Sequence, residues 1–226
     1  MKVFRNPYWN GEISQIASVL WAVSNIIKRE NFVEMYKSSI QGAANKDISD
    51  DVLEMASQMG EQTENAADEI VISQMVVLLV TYLELMIQEY FEVLFAKHPL
   101  RMYEYLFVSK HGVDIQGKVD LKEIAKAESK DEIIDNLSEG AAINATSGKF
   151  KTILSRLEKS SKLTLMEIEK ENLLNLVNYR NKIVHEAFRD ENDQGYFMSG
   201  YIAVVNFLST LIEWCEINEL PHGSSV

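Results

Sequence analysis

The longest apolar segment of the chain, from Asp68 to about His98, constrains the fold more than any other feature. An unbroken helix of this length would measure roughly 45 Å, at about 1.5 Å per residue. Helical steps of about 100° gather its large apolar side chains on one face: Ile72, Val76, Leu79, Val80, Leu83, Ile87, Tyr90, Phe91 and Leu94. Pro99 ends the segment, because proline disfavours the α conformation of the residue before it. The pattern predicts a core helix, with Glu89 and Glu92 on the opposite side and Glu84 at the edge of the apolar face.

The other apolar patterns also have helical spacing. They predict helices over residues 12–29, 47–59, 100–108, 119–137, 165–189 and 196–219. The first ten residues are predicted as an extended lead-in, and residues 60–67, 140–148 and the segment around Gly112 and Gly117 as connections. Thr164 and Glu167 predict a capping box at the start of the helix over 165–189. The apolar positions predicted for the last helix are Ile202, Val205, Leu208, Ile212 and Cys215.

Turn residues are scarce, with 10 Gly and 3 Pro in 226 residues, and no segment alternates as a strand does. We therefore expect an all-α fold, a helical bundle that forms a single domain over residues 1–226. The single cysteine, Cys215, excludes an intramolecular disulfide. No basic region followed by an apolar run opens the chain, so we expect a cytoplasmic protein. The most apolar run, Val76 to Val80, lies in a stretch interrupted by Ser73, Gln74 and Glu84, which predicts no membrane span.

The formal charge of −12 argues against a general nucleic-acid binder, because such proteins normally present a basic face. One segment differs from the rest: residues 149–162 contain five basic residues and one acid, Glu158. It is either a solvated helix face or a local patch that contacts RNA phosphates. The candidate RNA-contacting residues of that patch are Lys149, Lys151, Arg156 and Lys159.

The helix over 165–189 carries an unusual polar cluster. Arg180 falls near the centre of its apolar stripe, which is formed by Leu173, Leu176, Val177, Ile183, Val184, Ala187 and Phe188. Since arginine is almost never buried without a partner, either a cleft opens there or a carboxylate lies opposite. Asn181 and His185, four residues apart, share one face at the edge of the stripe and just beyond it. Two interpretations stay open: a functional site, or a structural network in which Arg180 pairs with Glu84 and His185 is a neutral histidine between helices.

The sequence Tyr-Arg-Asn-Lys-Ile-Val-His over residues 179–185 resembles the Arg-x4–6-His motif of the HEPN superfamily (higher eukaryote and prokaryote nucleotide-binding domains). Arg180, Asn181 and His185 match the three polar positions of that motif. Residues 82–91 are similar to the first core helix of bacterial HEPN groups related to the RiboL-PSP type. The resemblance covers about residues 68–219 and leaves residues 1–67 as an N-terminal helical extension. Ala187 stands where some HEPN toxins have a tyrosine that a partner nucleotidyltransferase modifies, so that mode of neutralisation is doubtful here.

The resemblance implies a metal-independent endoribonuclease, a toxin or phage-defence effector without a cofactor. The 2′-hydroxyl of the RNA attacks the neighbouring phosphorus and leaves a 2′,3′-cyclic phosphate and a 5′-hydroxyl. His185 would transfer protons, Arg180 would hold the phosphate and stabilise its growing charge, and Asn181 would orient either group. Glu84 is a candidate supporting acid. The family pairs two motifs across a dimer interface, so a homodimer with a composite site is expected, together with a cognate antitoxin or defence-system partner.

The residues themselves agree with chemistry that needs no metal. The four histidines, His98, His111, His185 and His222, are scattered, and neither an acid cluster of two-metal type nor a glycine-rich phosphate loop occurs. The competing interpretation is a non-catalytic helical module that binds a protein partner. The charge of −12 favours that module, and the intact Arg-Asn-x3-His cluster disfavours it.

Overall fold

The computed structural model describes residues 2–26, 38, 50–106, 108–110, 113–115, 127, 129–186 and 193–223. In chain order these contain α1 (Asn6–Ile26), α2 (Asp50–Lys97), a 3-10 helix (Pro99–Tyr105), β1 (Val108–Lys110), β2 (Val113–Ile115), α3 (Lys130–Ala145), α4 (Phe150–Ser161), α5 (Glu167–Glu186) and α6 (Asp193–Ile217). Helix α2 packs against α1, α3, α5 and α6 and forms the centre of the fold. The predicted all-α class is confirmed.

Helix α2 is the predicted core helix. All nine side chains of its predicted apolar face are at most 8% exposed, and the helix ends at Lys97, just before His98 and Pro99. Its start was predicted wrongly, because the short helix over 47–59 and the connector over 60–67 form one helix that runs through Gly60 from Asp50. A single glycine costs a helix only about 1 kcal/mol, and the glutamates, glutamine and alanines that follow favour the helical state.

The N-terminal segment is not the predicted extended lead-in. Helix α1 already begins at Asn6, and the buried Phe4 forms a parallel bridge with His222. The Phe4 N–H donates to the Pro221 carbonyl at 2.9 Å, and the Gly223 N–H donates to the Phe4 carbonyl at 3.1 Å. This segment ties both ends of the described chain together across α2. The predicted helix end at residues 27–29 lies outside the described residues.

The side of α2 that carries Glu89 and Glu92 is covered by the same segment. Arg5 donates its main-chain N–H to Glu89 Oε1 at 2.6 Å and its guanidinium to Oε2 at 2.6 Å, and this pairing raises the pKa of Arg5. Lys2 Nζ lies 3.1 Å from Glu92 Oε2. Glu89 therefore keeps only 11% of its side chain exposed, although the pattern around α2 placed it away from the core.

Three predictions for the middle of the chain differ from the structure. The expected loop around Gly112 contains the antiparallel strands β1 and β2, in which Val108 pairs with Ile115. Strands of three residues are too short for alternation to be detected in a sequence. The expected linker over 140–148 is helical as far as Ala145, because Ala141, Ala142 and Ala145 pack into the core. The expected helix over 100–108 is a 3-10 helix over Pro99–Tyr105, and residues 119–126 lie outside the described residues.

The last two helices differ from prediction in their starts and faces. Helix α5 begins at Glu167, so Glu167 cannot be the third residue of a capping box with Thr164; the Leu165 N–H donates instead to Glu158 Oε1 at 2.9 Å. Of the five positions predicted for the buried face of α6, two are buried and two pack against the core, but Ile202 is 54% exposed, so the face is turned in part. The face is set by larger side chains, which bury more apolar area: Phe197, Phe207, Leu211 and Trp214.

Two of the described helical segments, Glu69–Lys97 and Gln194–Ile217, are long and apolar enough to cross a membrane by length and composition. In the fold, 44% of the most apolar 18-residue stretch of the first segment is buried, and 39% of that of the second. The core helix of a bundle passes the same test, so length and composition do not separate the two cases. That no segment spans a membrane stays a prediction.

The contact between α5 and α6 depends on Gly200. An ideal Cβ at this position would overlap Leu176 Cδ1 and lie 3.3 Å from its Cγ, and Leu176 is itself buried. We expect Gly200→Ala to lower the free energy of unfolding by about 1–3 kcal/mol, as overpacking does. At Gly140, inside α3, no atom lies within 4 Å of an added Cβ. Gly140→Ala should therefore raise the free energy of unfolding by about 0.5–1 kcal/mol. Urea unfolding followed by circular dichroism measures both, and equal shifts would contradict the close helix approach.

Candidate active site on the fifth helix

The arginine of the cluster is paired within its own chain. Arg180 Nη2 lies 2.5 Å from Glu84 Oε1, which joins α5 to α2 and confirms the predicted contact between these residues. The side chains are 23% and 43% exposed, so the pair lies at the boundary of the core and not inside it. The exposed side of Glu84 borders a groove that is also lined by Thr81, Gln88 and Gly148. The guanidinium is thus held in place while the pair remains open on one side.

The other two residues of the motif lie together on a different surface. Asn181 and His185 line an open groove along the last turns of α5, together with Asn178, Lys182 and Tyr196. His185 is exposed and Asn181 is partly buried. His185 is therefore not the buried histidine between helices of the structural interpretation, and its ring is available to a ligand.

The predicted grouping of all three residues on one surface is only partly correct. His185 lies five positions after Arg180, which is about 140° around a helix. Arg180 points to α2, whereas the groove with His185 opens away from α2. Val184, expected on the apolar stripe, is 52% exposed, and Ala187 and Phe188 lie outside the described residues. In a single chain the guanidinium therefore faces Glu84, and the imidazole faces a different groove.

An aromatic pair forms one wall of the groove. The rings of Tyr179 on α5 and Tyr196 on α6 stack with centroids 4.4 Å apart and an interplanar angle of 14°. Tyr179 is buried, but Tyr196 remains 45% exposed. Since Tyr179 covers one face of the Tyr196 ring, the exposed part of Tyr196 is available for a second stacking partner.

The four basic candidates have different surroundings. Arg156 donates to the carbonyls of Asn144, Ala145 and Ser147 at 3.2, 3.1 and 2.6 Å and so closes the C-terminus of α3, which is a structural role. Lys159 pairs with Glu104 at 2.5 Å, and this carboxylate raises the pKa of Lys159.

The other two candidates, Lys149 and Lys151, are exposed. Lys149 occupies the N-cap position of α4. Lys151 lines a groove between α4 and α5 that also contains Asn175 and Asn178. Lys151 is thus the basic candidate that lines this groove beside residues of α5.

The groove between α4 and α5 is not basic. It contains Lys151 and Lys170 together with Glu158, Glu167 and Glu171. Lys170 Nζ lies 2.8 Å from Glu167 and 2.9 Å from Glu158, and these carboxylates, Glu167 first, raise the pKa of Lys170. Two lysines against three glutamates leave this groove without an excess of positive charge.

His98 and Cys215, which could in principle react or bind a metal, lie outside α5. Among the described residues no three His, Cys, Asp or Glu side chains are grouped so that they could hold a metal ion. His98 Nε2 is 3.0 Å from the Asn218 carbonyl, and His111 lies outside the described residues. Cys215 is buried, and burial raises the pKa of its thiol to about 12, which makes it a poor nucleophile.

Two features of the site were not recognised in the sequence. Tyr196 lies in a segment predicted to begin a helix, and only the packing of α6 on α5 brings it beside Tyr179. The asparagines of α5 recur at every third position from Asn172 to Asn181, a regular spacing that is visible in the sequence. Comparisons with protein-family models, with curated proteins and with solved structures found no match to this chain.

Proposed function

We propose that this chain is a metal-independent endoribonuclease with a HEPN-type bundle, acting in the cytoplasm as a toxin or phage-defence effector. The observation that carries the proposal is that Asn181 and His185 share an open groove, while Arg180, one residue from Asn181, is oriented by Glu84. These residue types supply proton transfer and charge stabilisation, which are what RNA cleavage by its own 2′-hydroxyl requires.

In the proposed reaction the RNA provides the nucleophile. The 2′-oxygen forms a bond to phosphorus as its proton passes to a histidine, and the bond from phosphorus to the 5′-oxygen breaks as that oxygen takes up a proton. Arg180 binds the phosphate through the guanidinium and stabilises the extra negative charge. Asn181 orients the phosphate or the His185 ring from the same face of α5. The products are a 2′,3′-cyclic phosphate and a 5′-hydroxyl.

We further propose that the active form is a homodimer. Arg180 and His185 leave α5 in directions that differ by about 140°, so one chain presents the two groups to different surroundings. In a symmetric dimer, the partly exposed Arg180–Glu84 pair of one chain can meet the His185 groove of the other. Equilibrium sedimentation at micromolar concentration tests this: a dimer is expected, and a strict monomer would contradict the composite site.

The second candidate function is a non-catalytic module that binds a basic protein partner. The net charge of −12 and the acidic excess between α4 and α5 favour it. A nuclease of this type would also need a cognate antitoxin or a defence-system partner, so a protein complex alone does not distinguish the two functions. RNA cleavage does.

The decisive experiment incubates the full-length protein with total RNA in EDTA. We expect cleavage to persist in the chelator and the fragments to end in 2′,3′-cyclic phosphate and 5′-hydroxyl groups, identified by phosphatase and kinase labelling. Fragments with 3′-hydroxyl ends would contradict the mechanism. Intact RNA, together with loss of a bound protein when the exposed Glu167 and Glu171 are both changed to lysine and circular dichroism shows the fold retained, would instead establish the interaction module.

A further inference from the structure

Helix α5 carries a regular strip of carboxamides. Asn172, Asn175, Asn178 and Asn181 follow one another at three-residue intervals and span about 14 Å of the helix axis. Each step turns by about 60°, so the strip winds halfway around α5, and Asn175 and Asn178 form its middle. The first three are exposed and the fourth is partly buried. Within the part of the chain that the structure describes, none of these four carboxamides has a hydrogen-bond partner. Each therefore presents two donors and an acceptor to whatever binds there.

The strip connects three grooves. Asn172 and Asn175 border a groove toward α6 that contains Tyr179 and Tyr196. Asn175 and Asn178 also line the groove toward α4 and the groove that leads to His185. An extended ligand that followed the strip around α5 would therefore pass the stacked tyrosines and would reach the proposed proton-transfer residue at its end.

Charge argues for recognition of uncharged groups on this surface. The groove toward α4 has more glutamates than lysines, and the His185 groove contains one lysine, Lys182, and one glutamate, Glu186. A surface that binds phosphates by releasing counterions needs a clear excess of positive charge. Carboxamides instead form hydrogen bonds with base edges, and aromatic rings stack on base faces.

We infer that the Asn172–Asn181 strip binds the unpaired bases of the RNA substrate, with Tyr196 as the stacking platform. The strip would thereby select single-stranded RNA. This inference rests on the proposed function. In a duplex the base edges are paired and the faces are stacked on their neighbours, so neither group of contacts is available. Because few phosphates are neutralised, the affinity should depend only weakly on salt.

Binding is measured by fluorescence anisotropy with a labelled single-stranded oligoribonucleotide that is 2′-O-methylated throughout. This probe lacks the attacking hydroxyl, so binding is observed without cleavage. We expect the double variant Asn175→Ala/Asn178→Ala to bind about tenfold more weakly, as the loss of two neutral hydrogen-bonding groups implies. The matched control is Asn136→Ala, an exposed asparagine on α3, which should bind as the wild type does. Between 50 and 200 mM salt, the slope of log K against log salt should stay below about 2 in magnitude.

Three results would overturn the inference: unchanged binding by the double variant, equal affinity for the matching duplex, or a steep salt dependence typical of phosphate contacts. Loss of dimerisation in the double variant, with RNA binding retained, would assign the strip to contact between copies of this chain. If instead the proposed function fails, the wild-type protein leaves natural RNA intact but still binds the probe through the strip. That result differs from the three that overturn the inference.

Discussion

His185→Ala is expected to lower the rate of RNA cleavage by about 10²- to 10⁴-fold, the range that general acid–base catalysis contributes. His185 is exposed on the last turn of α5 and holds no helix in place, so the variant should keep the far-ultraviolet circular dichroism and the unfolding midpoint of the wild type. The matched control is His222→Ala, an exposed histidine near the end of the described chain. Cleavage lost equally in both variants, or retained in His185→Ala, would exclude His185 as the proton-transfer group.

Arg180→Ala is expected to lower cleavage by about 10²- to 10³-fold, as the loss of one charge-stabilising donor does. Unlike His185, Arg180 also has a structural role, because its removal leaves the half-buried Glu84 without its cation. The stability loss should lie between that of a surface ion pair, about 0–1 kcal/mol, and that of a buried one, about 3–5 kcal/mol. Activity must therefore be expressed per folded molecule.

Two controls separate the structural role of Arg180 from the proposed catalytic one. Arg5→Ala breaks another pairing with a carboxylate of α2, that with Glu89, far along the chain from α5. It should reduce stability with little change in cleavage per folded molecule. Glu84→Gln keeps the guanidinium but weakens its orientation, so its effect on cleavage should be smaller than that of Arg180→Ala. If Arg5→Ala and Arg180→Ala lower cleavage alike, Arg180 acts only through stability.

The features that sequence predicted well are those that depend on one helix at a time. The apolar face of α2 and its end before Pro99 follow from local periodicity and from the steric effect of proline, and both were confirmed. The contact of Arg180 with Glu84 was one of two interpretations that the sequence left open, because an arginine on an apolar stripe needs either a cleft or a carboxylate, and the structure shows the carboxylate.

The features that were missed depend on contacts between distant parts of the chain. Nothing near Phe4 in the sequence indicates that its main chain pairs with Pro221 and Gly223. Ile202 of α6 was misplaced because the larger aromatic side chains decide where the buried face is centred, whereas Leu208 and Cys215 are buried as predicted. For the site, helical angles predicted that Asn181 and His185 share one face, but that Arg180 lies on a different side against Glu84 could be known only from the packing.

That packing makes a mixing experiment the sharpest test of the composite site. Arg180→Ala retains His185, and His185→Ala retains Arg180, so each variant alone forms only incomplete sites. If each site takes Arg180 from one chain and His185 from the other, a mixed dimer contains one intact site and one that lacks both groups. When the variants are unfolded together in urea and refolded in equal amounts, about half of the dimers are mixed, and about one quarter of the wild-type activity should return.

The alternatives give clearly different activities in the same mixture. If Arg180 and His185 of one chain acted on the same phosphate, each mixed dimer would still lack a complete site, and the mixture would stay as inactive as its components. The same result follows if each site needs the arginine and histidine of both chains. Refolding each variant separately before mixing is the control, since slow exchange between dimers should then keep the activity low at first. A gain that appears only after co-refolding, or that rises at the rate of subunit exchange, would show that the about 140° between Arg180 and His185 is bridged by the second chain.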